Sequence, residues 1–91
     1  MRQFLTDTDT RMDRLRGALD SGDAGSAGVL AHSIKGSSGA VGGRGLALSC
    51  GRLEKKAVAG HLAAGRSDLR EVEDEYEELR RTLAEELLTR L

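Results

Sequence analysis

Residues 23–41 read Asp-Ala-Gly-Ser-Ala-Gly-Val-Leu-Ala-His-Ser-Ile-Lys-Gly-Ser-Ser-Gly-Ala-Val, and this stretch decides the fold. At roughly 100° per residue around an α-helix, Leu30, Ile34 and Val41 fall on one side, and His32 points almost opposite to them. The spacing therefore predicts a helix with one buried side and a histidine facing solvent. Gly25, Gly28, Gly36 and Gly39 all project within about 40° of His32, which predicts a lane without side chains on either side of the imidazole. A glycine inside a helix costs about 1 kcal/mol relative to alanine, so four on one face imply that something approaches that face closely. A small-residue seam packed against a neighbouring helix is the other reading of the same glycines.

Outward from this helix, the chain punctuates itself. Asp20-Ser21-Gly22-Asp23 supplies a stop for a preceding helix over about 2–19, carrying Phe4, Leu5, Met12, Leu15 and Leu19 at helical spacing. Asp23 is placed to cap the second helix, over about 23–41, whose expected buried side is Ala27, Leu30, Ile34 and Val41, with Ser37 and Ser38 at its margins. Gly42-Gly43 breaks the chain again. A third helix over about 44–60 repeats Leu46, Cys50, Leu53 and Ala57 at steps of four, three and four. Ser67 or Asp68 is the expected cap of a fourth, over about 67–90, with Leu69, Val72, Tyr76, Leu79, Leu83 and Leu87 on one face and acidic residues over the rest. Four helices with short connections predict an all-α, antiparallel four-helix bundle, one domain spanning residues 1–91.

Composition narrows the chemistry. The chain has no proline or tryptophan and one each of tyrosine and phenylalanine, so its core is aliphatic, as closely packed helices allow. The net charge of −1 argues against nucleic acid as a partner. Charge is unevenly spread: residues 1–60 carry nine basic against six acidic groups, residues 61–91 five against nine. The lone Cys50 leaves no internal disulfide, and neither a secretory leader nor a membrane-length apolar run is evident, so a cytoplasmic location without membrane contact is expected.

The imidazole of a histidine, with an ordinary pKa of about 6.5, is mostly neutral at cytoplasmic pH, and its free nitrogen is a good nucleophile toward phosphorus. Lys35, one turn beyond His32, is placed to offset the charge of a phosphoryl group, and Gly36 leaves room for its oxygens. No nucleotide-binding glycine loop and no strand-edge Asp pair for Mg²⁺ accompany them, so independent catalysis is not expected. Metal binding is not expected either. A bundle di-metal site wants Glu-x-x-His, and the residues three before His32 and His61 are Val29 and Val58. What remains is a side chain that accepts a phosphoryl group and surrenders it.

The run from Ala31 to Glu54 resembles the histidine-containing phosphotransfer (HPt) domain of bacterial multistep phosphorelays. The resemblance rests on Ala31, His32, Lys35, Gly36, Ser37, Ser38, Gly42, Leu46, Cys50, Leu53 and Glu54. Ile34 stands where the family usually has leucine, and Gly43 where alanine is common. The resemblance implies a four-helix bundle whose exposed His32 takes a phosphoryl group from a receiver-domain aspartyl phosphate and passes it to another, with Lys35 and Gly36 as local support. It implies receiver domains of response regulators as partners, in a free-standing protein or within a hybrid histidine kinase. Mg²⁺ is then needed only in the partner, and this chain has no cofactor of its own.

Gly25, Gly28, Gly39 and Arg44 are the expected partner-binding positions, and Arg52, Lys55 and Lys56 are further basic groups able to complement an acidic surface. Ser37, Ser38 and Cys50 are read as packing residues and His61 as an exposed polar one. The near-heptad run in the fourth helix supports a second function, a non-catalytic helical adaptor or dimerisation module. A His32 buried at a subunit contact would favour that alternative.

Overall fold

Asp23 sets the second helix. Its carboxylate accepts a hydrogen bond from the Ser26 amide at 3.0 Å and another from the Ser26 hydroxyl at 2.7 Å, satisfying a helix-start amide that has no partner within the helix. The computed structural model describes residues 2–89, and among these the helices are α1 (Arg2–Ser21), α2 (Ala24–Ala40), α3 (Arg44–Val58) and α4 (Arg66–Thr89), with a short 3-10 helix at Leu62–Gly65. The expected end of the fourth helix at residue 90 lies outside the described residues.

The first helix runs two residues past its expected end, to Ser21, and the junction of α3 with α4 also differs from the sequence expectation. Gly60, with a φ of 78°, turns the chain out of α3, so the helix closes at Val58 and not at 60. The 3-10 turn then leads straight into α4, which already contains Ser67 and Asp68, so neither caps it. Asp68 is instead buried in the first turn, with its carboxylate against the ammonium of Lys56 from α3.

The core is aliphatic, as composition requires: Met12, Leu15, Ile34, Leu46, Leu53 and Val72 are all essentially inaccessible to water. On α2 the buried arc is Ala27, Gly28, Ala31, Ile34 and Ser38, which corrects the expectation of Leu30 and Val41. The reason is that α2 is flanked on both sides, by α1 and by α3, so its innermost stripe runs between them. Leu30 is left half-buried at the groove toward Arg14 and Ala18 of α1, and Val41 falls after the last helical residue. Ser38 buries its hydroxyl at no cost in unpaired donors because it donates to the Ile34 carbonyl at 2.5 Å.

Polar contacts between α1 and α4 fix their alignment: Asp20 with Arg66, Arg16 with Glu73, and Asp9 with both Tyr76 and Arg80. Leu83 is the last buried residue of α4, and Leu87, expected on the buried face, is 40% exposed because α4 runs on past the start of α1. At the α2–α3 turn, a Cβ on Gly43 would lie 2.7 Å from Leu79 Cδ2 of α4. An alanine there would require the Leu79 side chain to shift.

Candidate functional site

The site is built on the α2–α3 pair. Residues that meet across it lie at nearly equal distances in sequence from the Gly42-Gly43 turn: Lys35 opposite Gly51, His32 opposite Glu54, and Gly28 opposite Ala57. Small residues let the helices approach. A Cβ at Gly28 would sit 3.6 Å from Ala57 Cβ, and one at Gly51 would sit 3.7 Å from Lys35 Cδ.

His32 stands on the outer side of α2 with 71% of its side chain exposed. Its Nδ1 lies 2.8 Å from Oε2 of Glu54, while the other oxygen of the same carboxylate, Oε1, is 3.4 Å from Lys35 Nζ. An ionised carboxylate only accepts hydrogen bonds, so the proton of the neutral ring resides on Nδ1. The lone pair is thereby left on Nε2. One half-buried carboxylate thus fixes the tautomer of His32, orients its ring and anchors Lys35 one turn away.

The expected positions divide. Gly36 and Gly39 are open, since a Cβ on either would meet nothing within 4 Å, and Gly25 would meet only Asp23 Oδ1 at 3.7 Å. Gly28 does not belong to the open lane: it is buried in the seam with α3, because there the helices lie in van der Waals contact. Arg44 is exposed but opens α3 ten residues before Glu54, about 15 Å along the helix axis, so the fold does not bring it to His32. Arg52 and Lys56 are ion-paired within the protein, with Glu71 and Asp68, and both remain partly exposed. His61 is exposed in the loop after α3.

Two features escaped the sequence reading. Glu54 had no assigned role, although it and His32 both stand eleven residues from Gly43, so reflecting the chain about that turn pairs them. The other is the apolar surface beside the ring. His32 and Glu54 share a groove with Gly28, Val29, Ala57 and Val58, and the two valines are 71% and 79% exposed. Leu48 of α3, on a more distant turn, is 55% exposed. Among the described residues, no group of three or more His, Cys, Asp or Glu is placed to hold a metal ion, and no helix is long and apolar enough to cross a membrane.

A solvent-facing imidazole, a cation one turn away and bare helix surface beyond it leave this face open to another macromolecule. The family model of the Hpt domain matches residues 1–82 of the chain. No curated protein and no solved structure gives a significant match. The chain belongs to the Hpt domain family, and membership carries with it phosphotransfer within two-component phosphorelays and engagement of the receiver domains of response regulators.

Proposed function

We propose that His32 is the phosphoacceptor of a relay: Nε2 takes a phosphoryl group from the aspartyl phosphate of one receiver domain and hands it to the aspartate of another. The observation that carries this reading is the pairing of Nδ1 with Glu54 on a ring otherwise open to solvent, which leaves Nε2 as the free, outward nucleophile. Lys35 offsets the phosphoryl charge, and Gly36 and Gly39 give steric access, as their open surroundings allow. Mg²⁺ and the leaving group belong to the receiver, and the chain needs no cofactor of its own. The platform is an antiparallel four-helix bundle, a reading supported by the reflected pairing of α2 with α3 and by the reversed numbering of the α1–α4 contacts.

A receiver docks its apolar surface around the aspartate against the His32 face, where Val29 and Val58 offer apolar area next to the ring. The acceptor works in the cytoplasm, either free-standing or as part of a hybrid histidine kinase. The deciding experiment loads a panel of receiver domains with acyl phosphate in the presence of Mg²⁺ and offers each the native chain and its His32→Gln variant. Acid-labile, base-stable label on the native chain alone is the expected result. No label from any receiver would transfer the assignment to the adaptor.

A further inference from the structure

We infer that Arg14 of α1 selects the receiver, by holding a carboxylate of the docked receiver's surface in the groove that runs between α1 and α2. The inference rests on His32 being the phosphoacceptor and adds to it the kind of receiver that is served. It begins from a groove of about 570 Å³ whose walls include Arg14, Ala18 and Ser21 of α1 and Gly25, Val29 and Leu30 of α2. Gly25 and Val29 also line the groove that holds His32, so Val29 is the ridge between the two, one turn from the imidazole.

A receiver that reaches His32 covers this second groove as well. A standard protein interface takes about 800 Å² of each partner, a patch roughly 30 Å across if round, whereas neighbouring helix axes lie about 8–10 Å apart. Arg14, on the helix next to α2, falls inside that footprint. Gly25 is exposed at the shared edge and a Cβ there would meet only Asp23, so a side chain of the partner has room to descend beside the guanidinium.

Charge decides which partner fits. Among the described residues Arg14 is exposed and makes no ion pair, and Arg11, which lines the surface next to it one turn earlier, makes none either. Arg16, about 200° further round the same helix, is held by Asp13 and by Glu73 of α4. The cation that α1 turns toward α4 is thus compensated, and those it turns toward α2 are not. Two acids stand nearby, and both have donors of their own: Asp23 accepts from the Ser26 amide and hydroxyl, and Asp7 accepts from the Gln3 amide at 2.9 Å. Lys55, on the α3 flank of the same face, is exposed and likewise without an ion pair. A basic rim of this kind speeds encounter with an acidic surface and repels a basic one, which is how rim charges discriminate between partners of one shape. The receiver served therefore carries a carboxylate beside its phosphorylated aspartate, on the side that faces α1.

The test separates docking from the chemistry of His32. The native chain, Arg14→Ala, Arg14→Glu, Arg70→Glu and His32→Gln are labelled with potassium phosphoramidate, which needs no protein surface, and then by the phosphorylated receiver that labels the native chain fastest. Arg70 is the control: it is exposed and without an ion pair on α4, which packs against α1 and α3 while α2 lies across the bundle. Phosphoramidate is expected to label all but His32→Gln at the native rate. At about 50 mM salt the second-order rate constant for transfer from the receiver is expected to fall about tenfold in Arg14→Glu and about threefold in Arg14→Ala, with the saturated rate and Arg70→Glu unchanged. At about 500 mM salt the gap is expected to close. Equal transfer constants for native and Arg14→Glu, an equal loss in Arg70→Glu, or a gap that survives high salt would overturn the role of the Arg14 charge while leaving the phosphoacceptor in place. Phosphoramidate label that never forms on the native chain, or that persists undiminished in His32→Gln, overturns the phosphoacceptor reading and this inference with it.

Discussion

Lys56 of α3 sets its ammonium 2.5 Å from Oδ2 of Asp68 on α4, and that carboxylate is almost wholly removed from water. The same ammonium donates to the Ala64 carbonyl at 3.4 Å, tying the 3-10 turn to the helix before it. Removing Lys56 leaves a buried carboxylate without its counter-charge, a costly change for any protein. Because Lys56 is itself partly exposed, Lys56→Met is expected to lower the free energy of unfolding by about 2 kcal/mol, below the 3–5 kcal/mol typical of fully buried pairs. The double variant with Asp68→Asn should recover most of that loss. Urea denaturation of the four members of the cycle checks it, and additive losses would show that the two side chains do not act as a pair.

Glycines 28 and 36 are the same residue on one helix and are expected to respond oppositely to size. Gly36→Ala meets nothing and should gain close to the difference in helix propensity, about 1 kcal/mol. Gly36→Leu should leave thermal unfolding near the native value and slow phosphoryl transfer from a receiver. Gly28→Leu should force α2 off α3 and lower the melting temperature. An unchanged transfer rate in Gly36→Leu would refute steric access as the purpose of that glycine.

The Asp23 carboxyl is held below the ordinary range by the hydrogen bonds it accepts from the Ser26 hydroxyl and amide. A depressed value in the folded state means that this cap adds stability above the unfolded carboxyl's pKa, and that the contribution disappears as pH falls through the folded one. The urea midpoint of Asp23→Ala should therefore lie below native at pH 7. The gap between the two proteins should close as pH is taken from 5 to 2, and a gap constant over that interval would contradict the cap.

Burial, with a smaller contribution from the Glu54 charge, pushes the Cys50 thiol up to about 12. Thiolate is the reactive form, so native protein at pH 8 should resist alkylation by iodoacetamide. Labelling should rise with urea in step with the loss of helical circular dichroism. Rapid labelling of folded protein would mean that Cys50 is reached by local opening, without global unfolding.

Much of this molecule can be read from its residues because its elements are punctuated. The Asp23 cap, the Gly42-Gly43 break and the three-and-four spacing of Leu46, Cys50, Leu53 and Ala57 locate α2 and α3, and the projection of α2 alone places His32 outward. The missing parts are those that depend on a second helix. A projection cannot distinguish Gly28 from Gly36, because what separates them is Ala57 on the neighbouring chain segment. Leu30 looks like core and Ser38 like margin until α1 and α3 close on both sides of α2. Glu54 is silent in its own helix, where it sits beside the buried Leu53, and gains its meaning only from the turn that folds it onto His32.

Of the seventeen residues of α2, four are glycines, and its buried stripe is mostly alanine and serine. Such a segment has little tendency to form a helix by itself, since helices of this length are marginal in water even when rich in alanine. A synthetic peptide copying residues 23–41 would be a disordered chain with a free histidine, lacking both the shape and the carboxylate that define the site. Antibodies raised against that peptide would recognise the denatured protein on a blot and miss the folded one, and peptide competitors of docking would need α3 attached to imitate anything a receiver encounters.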